Sequence, residues 1–570
     1  MAAHEAPAEV PVHHTDSADD STRNNDEEIE RQQKIEEAID EGHDADIPSN
    51  LGYVLDDAGE LKRQKSIAER RRNSLARKRS RVSEDVEKEA GKEPEKEEEA
   101  TTSDDEANVV WWDGDDDPAN PYNWPEWQKY VNCGMISFLT FITPLASSIF
   151  APGVPQLMVE FKSSSTELAA FVVSVYVLGF AFGPLLMAPL SEIYGRTIIY
   201  HICNIGFISF CVGCALAPSL NALIVFRFFA GIFGSTPITN GGGSIADMIK
   251  QEKRGAAMAI FSIGPLLGPI IGPVAGGFLS DAKGWRWVFW LLVIIGGFVS
   301  VMMFFFVRET YAPILLQRKV NKLRKETGNN LLRSKLDAGL SPGDYFKRGI
   351  VRPLKMLARS PIVMIFALYM AVVYGYLYLL FTSITEVFQE YYHFSTSTVG
   401  LVFLGLGIGS MVGLVFFSAS SDRNIKKRAE KEGQGMKPEY RLQPLPIGAL
   451  LLPVGFFIYG WTAEYHVHWI VPILGTVIIG VANLIIFMAL QMYLVDAFTI
   501  YAASSLAANT VVRSIAGAVL PLCGLRMYDT LGMGWGNSLL GFIAAAMIPV
   551  PFLILKWGEY LRKKFDLKNL

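Results

Sequence analysis

Apolar runs of about twenty residues recur between residues 129 and 557, and short polar segments separate them. A helix of about 20 apolar residues is long enough to cross the ~30 Å hydrocarbon core of a bilayer. The pattern therefore predicts an all-α polytopic membrane protein. Twelve spans are predicted, at residues 129–151, 168–189, 197–217, 220–244, 255–279, 286–307, 361–383, 398–419, 443–462, 468–491, 502–525 and 537–557.

The polar segments divide the chain into five parts. Residues 1–128 are densely charged, which is typical of a largely disordered tail. Two bundles of six spans, at 129–307 and 361–557, are separated by a polar loop at 308–360, and a short tail at 558–570 follows. Lys and Arg are concentrated in the loops that share a side with both termini, so both tails and the central loop are predicted to be cytoplasmic.

The composition agrees with this class and excludes others. Hydrophobic residues make up 50% of the 570 residues and charged residues only 19%, which excludes an ordinary soluble chain. No G-x-x-x-x-G-K-[ST] sequence is present, so an ATP-driven pump is disfavoured. Cys211 and Cys214 are spaced like half of a metal site, but no second pair accompanies them. We predict no catalytic residues, no metal, no cofactor and no nucleic-acid partner.

The N-terminal tail contains a basic block at residues 62–81, followed by an acidic block. A solvated tail is the favoured interpretation, because charge blocks of this kind are common. The alternative is an electrostatic switch. In that case the basic block binds anionic lipid of the inner leaflet until phosphorylation of Ser74 or Ser80 releases it.

The connection between the second and third spans reads "PLSEIYGRT" and contains Glu192, Gly195 and Arg196. Its Gly indicates a tight turn, whereas membrane orientation alone requires only the Arg. A similar acid-then-base segment, "SDRNIKKR", follows the eighth span, and the fourth and tenth spans each end with a lone Asp. This echo predicts two parallel six-helix repeats. The alternative is an ordinary loop whose Arg only sets the orientation.

Two further features lie inside predicted spans. Arg227 stands in the fourth span, where a buried charge is costly and normally faces a polar interior. The alternative is that its side chain snorkels to the outer surface. In the fifth span, "GPLLGPIIGPVAGG" repeats Gly and Pro every four residues, so a neighbouring helix can approach closely. The alternative there is a bent helix without a role in transport.

Together these motifs resemble the major facilitator superfamily. The segments that carry the resemblance are "APLSEIYGRT", "RFFAGIFGSTPITNGGGSIADM" and "GPIIGPVAGG". With "WRWVFW" at the sixth span and "YLVDAFTIYAASSLAANTVVRS" at the tenth and eleventh, the chain more specifically resembles fungal drug:proton antiporters with twelve spans. The resemblance implies two six-helix bundles related by pseudo-two-fold symmetry, and a monomer that exchanges a small organic substrate for protons.

The resemblance also implies a gating latch at the inner turn. In it, Glu192 caps the eleventh helix and Arg196 pairs with Asp247. The remaining latch residues are Gly195 and Asp422. Three positions depart from the superfamily pattern, namely Glu192, Ala188 and Thr197, and the fungal antiporters commonly share the Glu.

Proton coupling is implied for Arg227, together with Asp247 or Asp496 as the acid. The glycine-rich fifth span resembles the family's antiporter motif, which favours export over uptake. The motif residues are Gly268, Gly272, Pro273, Gly276 and Gly277. The energy source is then the proton gradient, and no cofactor is expected.

In this family spans one, four, seven and ten line a substrate cavity between the halves. The residues predicted to line it are Tyr369, Tyr374, Tyr376, Tyr378, Asn483, Met488 and Gln491. Aromatic faces and a flexible Met suit bulky, partly apolar ligands, including cationic ones. The alternative for each Tyr is packing inside a helix bundle or at the membrane interface.

The expected function is therefore a proton-coupled antiporter that exports drugs, fungicides or secondary metabolites by alternating access. We expect it in the plasma membrane, with the vacuolar membrane as the alternative. An exporter of a defined metabolite, such as a polyamine or an organic acid, is the nearest rival. Proton-coupled uptake and a non-transporting receptor are further alternatives.

Overall fold

The structure is a computed structural model. It describes residues 108–114, 116–250, 254–337, 339, 341–432, 437–498 and 501–565. The basic block at 62–81 and its two serines, Ser74 and Ser80, lie outside the described residues.

Within the described residues, eight α-helices form the N-terminal half. They are α1 (Glu126–Ser148), α2 (Val154–Glu160), α3 (Thr166–Tyr194), α4 (Arg196–Ala215), α5 (Leu220–Gly234), α6 (Thr236–Met248), α7 (Arg254–Lys283) and α8 (Arg286–Phe306). Spans one to six are α1, α3, α4, α5 with α6, α7 and α8. Span four is interrupted before Thr236, because Pro237 supplies no backbone N–H at the start of α6.

The central loop and the C-terminal half supply the remaining helices. They are α9 (Ala312–Thr327), α10 (Pro342–Arg359), α11 (Pro361–Glu390), α12 (Thr396–Glu432), α13 (Leu445–Glu464), α14 (Ile470–Phe498), α15 (Ala502–Ala546) and α16 (Pro549–Lys564). Spans seven to ten are α11 to α14. Spans eleven and twelve share α15, which bends at Gly532 (φ +75°), and span twelve continues into α16.

The predicted number of spans is confirmed. Within the described residues, twelve helices are long and apolar enough to cross a membrane. The two halves meet along two helix pairs, spans two and eleven and spans five and eight. In the first pair, the Ser174 hydroxyl donates to the carbonyl of Ala518 at 2.9 Å. In the second, a Cβ atom at Gly400 would lie 2.6 Å from the carbonyl oxygen of Pro273, so the backbones are in direct contact.

The segment before span one and the central loop are more ordered than their polar composition predicts. Val109–Val110 forms a strand, β1, that pairs in parallel with Arg333–Ser334, β2, of the central loop. Helix α10 lies at the same end of the molecule and contacts both span two and span eleven. We call this end the inner side and the opposite end the outer side. The predicted tail at 1–128 therefore ends, within the described residues, in a segment that is folded onto the loop.

Candidate functional site

The turn between spans two and three depends on Gly195. Its backbone has φ +105° and ψ 154°, a conformation that residues other than glycine rarely adopt. A Cβ atom at this position would also collide with the carboxylate of Glu309. Both observations explain why the predicted tight turn contains glycine.

Glu309, which the sequence analysis missed, holds the start of span three. Its two carboxylate oxygens accept hydrogen bonds from the backbone N–H groups of Arg196 (2.9 Å) and Thr197 (3.2 Å). A carboxylate is favoured at a helix N-terminus, where backbone N–H groups lack partners within the helix. The available signal was an acid directly after the phenylalanine-rich sixth span, in "FFFVRET".

Arg196 lies in the pair that the resemblance implied. Its Nε lies 3.4 Å from Oδ2 of Asp247, and its Nη1 donates to the Ser191 hydroxyl at 2.6 Å. The guanidinium also lies 4.7 Å from the ring centroid of Tyr311. Burial raises the pKa of Tyr311 to about 12, so this ring is uncharged at neutral pH. Arg196 thus ties together the inner ends of spans two, three and four.

Glu192 does not cap span eleven, contrary to expectation. Its side chain is exposed and forms no hydrogen bond or ion pair in the part of the chain that the structure describes. At this end of the molecule α10 contacts both span two and span eleven. Its Arg352 guanidinium lies 4.7 Å from the ring of Tyr501, at the start of span eleven. Asp422, the other predicted latch acid, lies on α12 in a stretch whose side chains are not described.

The C-terminal half repeats the inner arrangement with Asp496, which the sequence analysis selected, and with Arg441, Glu439 and Arg562, which it did not. Arg441, just before span nine, binds Asp496 at the end of span ten, with Nε 2.8 Å from Oδ2. Arg562, at the end of span twelve, binds Glu439 with 3.1 Å between Nε and Oε1. Arg441 is therefore the counterpart of Arg196, and the third and sixth spans of each half are joined at their inner ends.

Arg227 is buried in the outer part of span four, with 1% of its surface exposed. The alternative that it snorkels to water is therefore wrong. Its Nη2 donates to the carbonyls of Ser147 and Val173, each at 3.3 Å. The guanidinium lies 5.3 to 5.7 Å from the ring centroids of Phe150, Tyr176 and Phe289. No carboxylate forms an ion pair with it in the described residues, so ring faces and carbonyls hold this charge.

Ser147 connects Arg227 to the C-terminal half. The hydroxyl of Tyr378, in span seven, donates to the Ser147 hydroxyl at 3.0 Å. The ring of Tyr374 lies one helical turn away, with its centroid 5.0 Å from that of Tyr378. Two of the predicted cavity residues therefore face the N-terminal half, as a cavity between the halves requires.

Three other predicted cavity residues lie in the interior of the C-terminal half. Tyr376 points into the C-terminal bundle, because its hydroxyl donates to the carbonyl of Leu540 at 3.1 Å and its ring contacts Phe456. Tyr369 lies two turns before Tyr376 and is buried. Asn483 donates to the carbonyl of Val373 at 3.2 Å within the same bundle.

Met488 and Gln491 are half-buried in span ten. The Gln491 Oε1 atom is itself buried, and it has no hydrogen-bond partner among the described residues. Gln491 therefore places a hydrogen-bond acceptor in the interior that no described residue satisfies.

A second buried arginine, Arg513, was also missed by the sequence analysis. It lies in the middle of span eleven and is 7% exposed. Its guanidinium lies 4.9 Å from the ring centroid of Tyr374 and 5.2 Å from that of Phe487. The signal that could have found it is the same as for Arg227, a single charge within an apolar run.

A cavity of about 240 Å³ lies between the outer ends of spans two and seven. Glu386 of span seven lines it and is half-buried. In the described residues Glu386 forms no ion pair, and its charged neighbours are the acids Glu390 and Asp529. Glu386 is thus a carboxylate that faces a cavity between the two halves.

The glycine-rich fifth span has two contact faces. Cβ atoms at Gly268 and Gly272 would lie 2.8 Å and 2.6 Å from atoms of span one, and one at Gly276 would collide with it. A Cβ atom at Gly277 would instead lie 2.8 Å from the carbonyl oxygen of Thr396 in span eight. The stripe packs span five against its own half, and Gly277 with Pro273 forms the contact across the halves.

Twelve apolar helices in two joined halves, with a charged turn at matching inner positions and buried arginines near the interface, define a secondary transporter of the two-bundle class. The family model of the Major Facilitator Superfamily matches residues 136–521. The chain therefore belongs to the major facilitator superfamily. It is a multi-pass membrane transporter for a small molecule, and the predicted fold and family are confirmed.

Several fungal relatives are similar over most of their length. The MFS-type transporter tndD of Aspergillus flavipes is 58% identical over 465 residues, which cover 81% of this chain and 86% of the relative. The MFS-type transporter penM of Penicillium rubens is 56% identical, covering 80% of this chain and 90% of the relative. The efflux pump radE of Floropilus chiversii is 51% identical, covering 81% and 87%.

Solved structures share the fold at low sequence identity. A D-xylose-proton symporter is similar with a TM-score of 0.57 and 16% identity, covering 74% of this chain and 97% of that chain. The inward-open xylose transporter XylE from E. coli is similar with a TM-score of 0.55 and 15% identity, covering 74% and 96%. These likenesses concern the fold alone.

Proposed function

We propose that the protein is a proton-coupled antiporter that exports organic compounds, such as drugs, fungicides or secondary metabolites, by alternating access. The observation that carries the proposal is Glu386, a half-buried acid that has no ion-pair partner among the described residues and faces a cavity between the two halves. The similarity to a fungal protein named as an efflux pump supports the direction of transport.

Glu386 is the acid that we propose as the proton carrier. Asp247 and Asp496, the acids that the sequence favoured, are each already bound to an arginine. Protonating either would break an ion pair at the inner side. Among the described residues, the charged neighbours of Glu386 are the acids Glu390 and Asp529, and binding of a proton relieves the repulsion between these like charges. Asp247 and Asp496 then serve to hold the inner ends of their halves.

Arg227 is proposed to keep the interior of the N-terminal half positively charged throughout the transport cycle. Its contacts with the carbonyl of Ser147 and with three rings fix the guanidinium next to the bond that joins the halves. Ser147 also accepts a hydrogen bond from Tyr378. Movement of one half against the other would therefore change the contacts of the Arg227 guanidinium. That contact offers a physical route between substrate passage and the rocking of the halves.

We further propose a monomer in the plasma membrane, or else the vacuolar membrane, with both termini cytoplasmic and no cofactor. The central loop agrees with this orientation, because basic residues are abundant in α9 and α10 on the inner side. The basic block at 62–81 is proposed to contact anionic inner-leaflet lipid, with Ser74 and Ser80 as its phosphorylation sites.

Transport by the purified full-length protein in lipid vesicles tests the proposal. Vesicles with an acidic lumen are given rhodamine 6G, benomyl or 2-naphthoate, and protein-free vesicles serve as the blank. We expect at least one compound to accumulate against its gradient. Glu386→Gln should remove the dependence on pH, whereas the control variant Asp281→Asn, which neutralises an exposed acid at the end of span five, should retain it. Movement of no compound, or normal coupling in Glu386→Gln, would contradict the proposal.

A further inference from the structure

Arg513 has buried N–H donors that no described residue accepts. Its Nε and Nη1 atoms are buried and have no hydrogen-bond partner among the described residues. Its contacts are with two aromatic rings, those of Tyr374 and Phe487. A guanidinium presents its N–H groups as a fork that matches the two oxygens of a carboxylate. The group is therefore fixed in position, with donors left over.

Further unpartnered polar atoms lie one helical turn toward the inner side. Spans ten and eleven run antiparallel, and Phe487 contacts Arg513 across them. Gln491 lies four residues after Phe487 in span ten, and Asn509 lies four residues before Arg513 in span eleven. Residues four apart share a helix face, so both lie on the faces that carry the Phe487–Arg513 contact. The Oε1 atom of Gln491 and both side-chain polar atoms of Asn509 are buried without a partner among the described residues. Asn509 is only 1% exposed.

We call Tyr374, Gln491, Asn509 and Arg513 the polar patch. Buried polar atoms in folded proteins are nearly always hydrogen-bonded, so such a concentration of unpartnered ones indicates a ligand site. The charge of the patch is positive, because Arg513 has no ion-pair partner in the part of the chain that the structure describes. Arg227, on the other side of the interface, adds a second buried positive charge, likewise without a carboxylate partner among the described residues.

We propose that the polar patch binds the acidic group of the transported compound, and that the substrate is an organic anion with a flat apolar body. Arg513 pairs with the carboxylate, or with the enolate of an equally acidic enol, while Asn509 and Gln491 bind neighbouring polar atoms of the compound. The rings of Tyr374 and Phe487 offer apolar surface next to the charge. That the bound compound is transported rests on the proposed function. The inference narrows the expected bulky, partly apolar ligands, which included cationic ones, to anions.

Binding to the purified full-length protein in detergent tests the inference without any gradient. The probes are 2-naphthoate, its neutral analogue 2-naphthamide and the cation 2-naphthylmethylamine, which share one ring system. We expect 2-naphthoate to bind the wild-type protein at least about tenfold more tightly than either analogue, because a charge-assisted pair is lost with them. This comparison needs no variant and so does not depend on the folding of one.

Variants then locate the site. Arg513→Gln should weaken 2-naphthoate binding about tenfold or more, and Arg513→Lys should restore part of the loss. Arg526→Gln is the matched control, because it removes the same charge from an exposed position of the same helix. Tighter binding of the cation or of the amide, or unchanged 2-naphthoate binding in Arg513→Gln, would overturn the inference.

The two proposals can fail separately. Selective 2-naphthoate binding that depends on Arg513, in a protein that moves nothing in vesicles, would support the polar patch as a binding site and overturn only the transport function. Proton-driven movement of rhodamine 6G but not of 2-naphthoate would support the antiporter and overturn the anion site.

Discussion

Tyr378 in span seven donates a hydrogen bond to Ser147 in span one, and this 3.0 Å contact joins the two halves beside the buried Arg227. The Ser147 hydroxyl in turn donates to the carbonyl of Pro144 at 2.6 Å. The bond therefore connects the interface between the halves to the backbone of the N-terminal bundle. Alternating access requires such bonds between halves to break and form again in each cycle.

Tyr378→Phe should change transport more than stability. A buried hydrogen bond contributes about 1 kcal/mol, so its loss should shift the equilibrium between the two arrangements of the halves about fivefold. The initial rate of substrate movement in vesicles measures the effect. Tyr376→Phe is the matched control, because its hydroxyl binds the carbonyl of Leu540 inside one half. Tyr376→Phe should lower the melting temperature as much as Tyr378→Phe does, but it should leave the initial transport rate unchanged. An equal change of transport rate in both variants would contradict the role of the Tyr378 hydrogen bond.

Gly195→Ala should destabilise the protein by about 1–3 kcal/mol, because the backbone conformation there is nearly restricted to glycine. The new methyl group would also displace the Glu309 carboxylate, and with it the two hydrogen bonds at the start of span three. Thermal unfolding in detergent measures the loss.

Gly284→Ala is the control for Gly195→Ala. Gly284 also has a positive φ, +85°, but a Cβ atom there would meet nothing within 4 Å. Gly284→Ala should therefore lower the free energy of unfolding only through the strained backbone conformation. If the two variants melt at the same temperature, then Glu309 contributes nothing measurable to the turn.

The sequence predicted those parts of the molecule that depend on local pattern. Twelve apolar runs are enough to give twelve spans, because length and composition alone decide membrane insertion. The Arg196 and Asp247 pair could be placed by the motifs in which they lie. Glu309 could not, because it meets Arg196 through a contact between residues 113 positions apart, which depends on how spans three and six pack.

The tyrosines of span seven show a prediction that geometry could have refined. Successive residues of an α-helix differ by about 100°, so Tyr376 and Tyr378 point in nearly opposite directions. Only one of them could face a central cavity, and the structure assigns that position to Tyr378. Which face turns inward depends on helix rotation, which the apolar pattern of this span does not specify because it is buried on most sides.

Lys319 should control the order of the segment before span one. It lies in α9, where its Nζ binds the carboxylates of Asp113 (2.6 Å) and Asp117 (3.5 Å) and the carbonyl of Trp111 (3.0 Å). We expect Lys319→Met to increase the rate of amide hydrogen exchange in residues 108–124. Lys322→Met, one turn away on the same helix, removes only an exposed pair with Glu326 and should leave exchange unchanged. Equal exchange in both variants would show that β1 and β2 hold the segment without Lys319.

Asp247→Asn and Asp496→Asn should differ in cost although they remove equivalent acids from the two halves. Arg196 is buried against Ser191 and Tyr311, and its pair with Asp247 leaves only 11% and 20% of the two side chains exposed. A buried guanidinium without its carboxylate costs about 1–3 kcal/mol. The pair of Arg441 with Asp496 leaves 26% and 37% exposed, so water can replace the lost acid for less than about 1 kcal/mol.

Thermal unfolding of the two Asp variants, measured side by side in one detergent, tests this order. Asp247→Asn should melt at the lower temperature, and it should also lose coupled transport, because the inner ends of spans two, three and four are no longer held together. Asp496→Asn should stay close to the wild-type melting temperature. A larger loss in Asp496→Asn would mean that the C-terminal half, whose ion pairs also include Arg562 with Glu439, depends more on its inner charges than the exposure of these side chains indicates.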